Sequence, residues 1–167
     1  QKPQESPAKA AIAEIVQSDV EKNAVANAAE NIGVLEPIDG FYERITKKPF
    51  GIYITPQTSP VQPDRFKGYH TGVDIEYEGI VREIPVQAIA DGKVVFSKWA
   101  SGYGGVTVIR HNINSQNLFV LYGHLDQTSM LTARTEVRKG QLIGVLGEGK
   151  TEETDGARKH LHFAILK

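Results

Sequence analysis

The sequence predicts an all-β domain, an antiparallel two-sheet sandwich or barrel, with a helical arm before it. Three observations favour this fold class. Short runs rich in β-branched and aromatic residues recur along most of the chain, Gly, Pro, Asn and Asp separate them, and no convincing helical pattern lies between them. At least seven such runs are typical of antiparallel β folds, and the absence of intervening helices excludes a parallel α/β architecture.

The predicted strands follow one another from Ile52 to the end of the chain. They cover residues 52–54, 72–77, 86–90, 93–99, 106–111, 118–122, 142–146 and 161–166. The turn signals between them fall at residues 91–92, 101–105, 112–115, 139–140 and 147–156. The polar run 148–159 is the longest predicted loop of this part and leads directly into a pair of histidines.

The first forty residues differ in composition from the rest, because they are alanine-rich, polar and without aromatics. Ser6 followed by Pro7 predicts the start of a helix, and Gly33 predicts its end. We therefore divide the chain into an arm, residues 1–40, and a domain, residues 41–167. The arm is interpreted as a connector to an anchor or another domain, with a regulatory arm that packs against the domain as the alternative.

Composition limits the chemistry that the chain can use. Its 167 residues include 19 Lys and Arg against 20 Asp and Glu, so bulk positive charge for nonspecific nucleic-acid binding is absent. No run approaches the roughly 20 apolar residues that span a bilayer. The sequence has no cysteine, so a metal would be held by His, Asp or Glu. Because it begins at Gln1, it is compatible with export after removal of a targeting segment.

The segment His70-Thr-Gly-Val-Asp74 lies at the start of a predicted strand. A turn at Gly72 would bring the imidazole and the carboxylate together. A His and an Asp at this spacing also occur by chance, so the segment alone is weak evidence for a metal site.

The pair His160 and His162 lies in the last predicted strand. Residues i and i+2 of a strand project to the same face, so the two imidazoles stand side by side while Leu161 and Phe163 face the core. Both histidines could bind a metal, or one could bind it while the other moves protons. The alternative is a pair of exposed strand histidines.

The other two histidines, His124 and His111, each follow a β run. By themselves they are predicted to be ordinary surface residues. A catalytic zinc site, however, takes three protein ligands and a water, whose pKa the metal lowers to about 7. A histidine that is not a ligand can then take a proton or hydrogen-bond the oxyanion. The chain contains every residue type that such a site needs.

The chain resembles the lysostaphin-like, or LytM-type, zinc endopeptidases of bacterial peptidoglycan from about Pro49 to the C-terminus. The segment 70–74 is similar to the HxxxD element of that family, and His160-Leu-His162 is similar to its HxH element. The intervening segments also resemble the family, at residues 85–95, 102–111, 121–125 and 137–144. These elements, all in the right order, make the resemblance specific.

Position by position, the resemblance implies one zinc ion bound by His70, Asp74 and His162, with His124 and His160 as the catalytic pair. It implies a LytM-like β fold of the duplicated hybrid-motif type. The implied function is hydrolysis of peptide bonds in cross-bridges or stem peptides of peptidoglycan, outside the cytoplasm. The implied partners are the peptidoglycan peptide and other cell-wall enzymes, and no nucleic acid.

The residues leave two alternatives open. Some members of the family have lost ligands and act as activators, whereas this sequence keeps all five residues, which favours an active hydrolase. The unusual residues before His160 and the N-terminal arm nevertheless make a catalytically silent or autoinhibited regulator of cell-wall amidases the second hypothesis. A lipoyl-type or phosphocarrier β domain is a third hypothesis. The lipoyl version lacks a carrier lysine in the expected hairpin, and the phosphocarrier version leaves the His and Asp pair unexplained. Arg158 and Lys159 stand where the family usually has residues of the Gly-Pro type. Their cations would either repel a metal slightly or bind a substrate carboxylate.

Overall fold

The computed structural model describes residues 33–166, and nearly all regular structure in that range is β. The strands are β1 Tyr53–Ile54, β2 Gly68–Tyr69, β3 Val73–Glu76, β4 Pro85–Gln87, β5 Gly92–Ala100, β6 Gly104–Ile113, β7 Gln116–Leu125, β8 Glu136–Val137, β9 Leu142–Val145 and β10 His160–Leu166. The helix found in the described range is a single 3-10 turn, Glu152–Thr154. None of the described residues forms a helix long and apolar enough to cross a membrane.

The strands form one main sheet and two ribbons, and every pairing is antiparallel. The main sheet has the order β3-β10-β7-β6-β5-β8, while β1 pairs with β2 and β4 pairs with β9. The long strands β6 and β7 are joined by a tight turn at Asn114 and Ser115, which both have positive φ. The predicted all-β, antiparallel fold class is confirmed.

All eight predicted strands are present, with shifted ends. Strands β5, β6 and β7 run longer than predicted, whereas the strand predicted at 86–90 ends at Gln87. The three residues after it, Ala88 to Ala90, are buried without belonging to a strand. The two-residue strands β2 and β8 were not predicted, because two residues carry no readable alternation.

The core consists of aliphatic side chains that alternate inward along the strands. Ile75, Ile109 and Leu161 are fully buried, and each contributes roughly 1.5–3 kcal/mol by leaving water. Residues from Leu35 onward belong to one compact unit. Within it, the Leu35 N–H donates to the Ile89 carbonyl at 2.8 Å.

The helix predicted for the arm lies in residues 1–32, outside the described residues, and stays a prediction. Part of the predicted arm is nevertheless described. The Gln87 N–H donates to the Pro37 carbonyl at 2.8 Å, and Ile38 is 2% exposed. Residues 35–40 therefore pack on the same unit as the strands.

The register of β3 against β10 arranges the polar side chains that matter below. His162 lies opposite Asp74, and His160 lies opposite Glu76. Because side chains two residues apart share a face, these four side chains point to one side of the sheet. Strand β7 pairs with the other edge of β10 and places Gly123 opposite His162.

Candidate metal centre

Three side chains meet at this face, two from one short segment and one from the last strand of the chain. They are His70, Asp74 and His162, all buried, and each offers one ligand atom to the cluster. The pairing of β3 with β10 brings Asp74 and His162 together. The ribbon β1–β2 positions His70, whose backbone N–H donates to the Ile52 carbonyl at 2.8 Å.

The tautomer of His70 follows from its backbone neighbour. Its Nδ1 lies 3.1 Å from the Pro49 carbonyl oxygen, which can only accept, so Nδ1 carries the proton and donates. The Nε2 lone pair of the neutral ring is therefore left for the cluster. Hydrogen bonding of the distal nitrogen to a carbonyl is the usual way in which a protein orients a metal-binding histidine.

The ligand atoms form a compact triangle. His70 Nε2 lies 3.2 Å from His162 Nδ1 and 3.2 Å from Asp74 Oδ1, and Asp74 Oδ1 lies 2.9 Å from His162 Nδ1. Zinc bonds of about 2.0–2.1 Å in a tetrahedron separate ligand atoms by about 3.3 Å. Two imidazoles and one carboxylate are also the donor types that zinc takes when thiolates are absent. The three residues therefore fit a zinc ion.

Electrostatics keep the carboxylate ionised. Burial is the largest influence on Asp74 and would raise its pKa, but attraction to His160 and hydrogen bonds with three histidines hold the pKa well below its usual value. Burial lowers the pKa of His162, and the hydrogen bond and attraction to Asp74 offset only part of this shift. Burial also acts to lower the pKa of His70, but its contact with Asp74 outweighs burial and raises it.

A second pair of imidazoles, His124 and His160, adjoins the triangle. Their ring centroids are 4.2 Å apart, and His160 Nε2 lies 3.3 Å from Asp74 Oδ2. His160 Nδ1 lies 2.8 Å from the Arg158 carbonyl, which fixes a proton on that nitrogen. The structure thus brings all five predicted site residues to one place. The separate role of each residue stays a prediction.

His124 is held in an unusual state. Burial, followed by repulsion from His160 and His162, lowers its pKa well below the usual value, so the ring is neutral at neutral pH. Its backbone has φ 64°, which non-glycine residues rarely adopt and which recurs at functional sites. Within the described range, His124 Nδ1 and His162 Nε2 are the buried side-chain nitrogen or oxygen atoms that have no hydrogen-bond partner. Both belong to this cluster.

The sequence did not decide the roles of Arg158 and Lys159. Both side chains are buried, and each pairs with a carboxylate. Arg158 Nε donates to Glu76 at 2.7 Å, and Arg158 Nη2 donates to Glu76 and, at 2.9 Å, to Asp74 Oδ2. Lys159 Nζ instead contacts Glu148 at 2.5 Å and the Arg82 carbonyl at 3.2 Å. The two cations therefore have different neighbours.

Glu76 was missed by the sequence interpretation, although it stands two residues after Asp74 and so shares its face.

The cluster lines an open groove of about 380 Å³. Beyond the five site residues and Arg158, its lining consists of Lys48, Asp64, Phe66, Thr71, Gly102, Tyr103 and Ala157. Lys48 was not predicted, and it pairs with Asp64 at 2.5 Å. The Tyr103 ring lies 5.4 Å from the ring of His162, centroid to centroid. The cluster therefore lies in the wall of a groove that also carries charged and aromatic side chains.

His111 does not belong to this site, and its predicted surface position is wrong. It is fully buried, and its Nε2 lies 2.9 Å from the Tyr122 hydroxyl. Its Nδ1 lies 3.2 Å from the Asp91 carbonyl. The signal that could have found it is the alternation of β6, because Ile109, two residues earlier, is also fully buried.

Comparison with known proteins finds one curated relative and several similar solved structures. The murein hydrolase activator EnvC of Escherichia coli (strain K12) is 35% identical over 82 residues, which are 49% of this chain and 18% of EnvC. The solved structure of LytU has a TM-score of 0.52 and 28% identity, over 74% of this chain and 73% of LytU. A zinc-containing peptidase from Vibrio cholerae has a TM-score of 0.50 and 26% identity, over 78% and 35% of the two chains.

This chain spans less than a fifth of the length of EnvC, so the likeness concerns one part of that protein. The model of Peptidase family M23 matches residues 68–167, more than half of the chain. That range contains the five residues of the site. The chain belongs to Peptidase family M23.

Proposed function

We propose that this protein is a zinc-dependent endopeptidase that hydrolyses peptide bonds in the cross-bridges or stem peptides of bacterial peptidoglycan. One observation carries the proposal: ligand atoms of His70, Asp74 and His162 converge within one buried cluster that lines an open groove. Membership in a peptidase family and likeness to a zinc-containing peptidase support the same chemistry.

In this proposal the three residues of the triangle hold one zinc ion. A zinc ion supplies a Lewis acid that polarises a carbonyl and makes water nucleophilic near neutral pH. His124 is neutral there, so it can accept a proton at one ring nitrogen. His160 presents Nε2 to the cluster because its Nδ1 is engaged by the Arg158 carbonyl. The two rings would move the proton and stabilise the oxyanion.

Recognition of the substrate is assigned to the groove. The chain carries a formal net charge of only −1, so long-range attraction to the cell wall contributes little. The proposed place of action is outside the cytoplasm, in the periplasm, at the cell envelope or after secretion, where peptidoglycan lies.

Purified protein incubated with peptidoglycan tests the proposal. New free amino groups should appear as peptide bonds are cut, and mass analysis of the fragments identifies the bond. We expect His162→Ala and Asp74→Ala to lose zinc, because each removes a ligand. His160→Ala should keep zinc and lose turnover. Loss of the metal in His160→Ala would show that the roles within the HxH pair are assigned wrongly.

A regulator of cell-wall amidases is the second candidate function. The likeness to EnvC, which is named as an activator of murein hydrolases, favours it. The two candidates differ in one assay: a regulator should stimulate a purified amidase, and its His162→Ala variant should do so equally well. An enzyme should release amino groups without any amidase present.

A further inference from the structure

We infer that Arg158 and Glu76 act as a positioning pair that orients Asp74 for metal binding, an inference that rests on the zinc site proposed above. The pair would hold one carboxylate oxygen of Asp74 and turn the other toward His70 and His162. Neither residue touches substrate in this account, so both are positioning residues.

The two oxygens of Asp74 have separate neighbours. Oδ1 lies 2.9 Å from His162 Nδ1 and 3.2 Å from His70 Nε2. Oδ2 lies 2.9 Å from Arg158 Nη2 and 3.3 Å from His160 Nε2. A carboxylate engaged in this way offers a single oxygen to the cluster and cannot rotate without breaking the contact to Arg158.

The guanidinium group is itself fixed by Glu76. Two of its nitrogens, Nε and Nη2, each donate to a different oxygen of Glu76, which is the two-pronged geometry that arginine favours. Nη2 is shared between Glu76 and Asp74. The side chain of Arg158 is 5% exposed, so water competes little for these bonds.

Charge explains how a cation can lie so close to a metal site. An unpaired arginine beside Asp74 would repel a divalent ion, since charges interact strongly where water is excluded. Glu76 carries the compensating negative charge, and the Arg158–Glu76 pair is neutral overall. The pair can therefore orient Asp74 without opposing metal binding.

The neighbouring pair Lys159–Glu148 provides a matched contrast. Lys159 is also buried, with 4% of its side chain exposed, and also bonds a carboxylate. Its contacts run to Glu148 and to the Arg82 carbonyl and not to Asp74. The two pairs thus resemble each other in charge, and they differ in contact with the cluster. Their carboxylates also differ in exposure, since the Glu148 side chain is 60% exposed and the Glu76 side chain is 10% exposed.

The test compares two variants that each preserve net charge. Glu76→Gln/Arg158→Gln removes the positioning pair, and Glu148→Gln/Lys159→Gln removes the control pair. Zinc affinity is measured by competition with a chromogenic chelator, and thermal unfolding is measured in excess chelator to compare the metal-free folds. We expect zinc affinity to fall about 10–100-fold in the first variant, as for other partners that orient a metal ligand. The control variant should bind zinc as wild type does.

Arg158→Lys is measured beside them, because the first variant can fail to fold. Lysine keeps the charge but cannot bridge two carboxylates with a rigid fork. It should bind zinc more weakly than wild type while its metal-free fold melts close to the wild-type temperature.

The outcomes separate this inference from the proposed function. Wild-type zinc affinity in both Arg158→Lys and the first double variant overturns the inference and leaves the proposed function standing. If the first variant does not fold, wild-type affinity in Arg158→Lys alone overturns it. Equal losses of affinity in the two double variants also overturn it, because the control pair does not touch Asp74. A wild-type protein that binds no zinc refutes the proposed function itself.

Discussion

Replacing Gly72 by alanine should damage the metal centre more than it damages the fold. Gly72 lies between the ligands His70 and Asp74, and its Cα faces strand β10. A methyl group there would lie 2.6 Å from the Phe163 carbonyl oxygen and 2.8 Å from Cε1 and Nε2 of His162. The imidazole of a proposed ligand therefore occupies the space that any larger residue needs.

The size of the effect follows from these distances. The contacts are roughly 1 Å shorter than the usual separation of about 3.5–4.0 Å. The Phe163 carbonyl belongs to the backbone of β10, which pairs with Val73, so the ring of His162 is the group that must move. Overpacking of this kind costs about 1–3 kcal/mol, which lowers Tm by about 3–15 °C in a domain of this size. A catalytic group misplaced by about 1 Å costs about 100-fold in rate.

The assay measures zinc affinity and thermal unfolding for Gly72→Ala and for Gly79→Ala. Gly79 has φ 83° and no atom within 4 Å of the added methyl, so alanine there costs about 1–2 kcal/mol through backbone strain alone. The two variants should thus lose similar stability, and Gly72→Ala alone should lose zinc affinity. Equal zinc affinity in the two variants would refute the reasoning.

Three further predictions concern residues outside the ligand set. Burial lowers the pKa of His111, so as pH falls below about 6.5 this histidine is protonated in the unfolded chain before it is protonated in the folded one, and the free energy of unfolding decreases. In chemical unfolding measured over a series of pH values, His111→Gln should weaken this decrease. Asp64→Asn should lower the free energy of unfolding by about 1–3 kcal/mol in denaturant titrations, because it leaves the ammonium group of Lys48 poorly paired. Deletion of residues 1–32 should leave peptidoglycan hydrolysis unchanged if they are a connector, and increased hydrolysis would contradict that interpretation.

Local sequence patterns predicted the strands well because each strand has its own alternation. Strands β2 and β8 were not predicted, since Gly68–Tyr69 and Glu136–Val137 form strands only by pairing with their partners. The 3-10 turn Glu152–Thr154 was not predicted either, because it too depends on contacts with other residues. It is held by side-chain bonds, among them Thr154 Oγ1 to the Glu148 carbonyl at 3.1 Å.

The candidate site was predictable in its residues and not in its contacts. Strand periodicity placed His160 and His162 on one face, and the resemblance to a known family added His70, Asp74 and His124. The surroundings depend on the β3–β10 register, which no local pattern encodes. That register places His160 opposite Glu76, and Arg158, two residues before His160, bonds the Glu76 carboxylate. Its cation therefore neither faces the cluster unpaired nor stands free in the groove.

Zinc dependence of peptide hydrolysis tests the central claim most directly. The wild-type protein is stripped with chelator, titrated with zinc, and assayed for new amino groups from peptidoglycan, beside His162→Ala. The account predicts that activity returns as about one equivalent of zinc binds to wild type, and that the variant neither binds zinc nor cuts. Hydrolysis that persists in His162→Ala, or wild-type protein that takes up zinc and releases no amino groups, would contradict it.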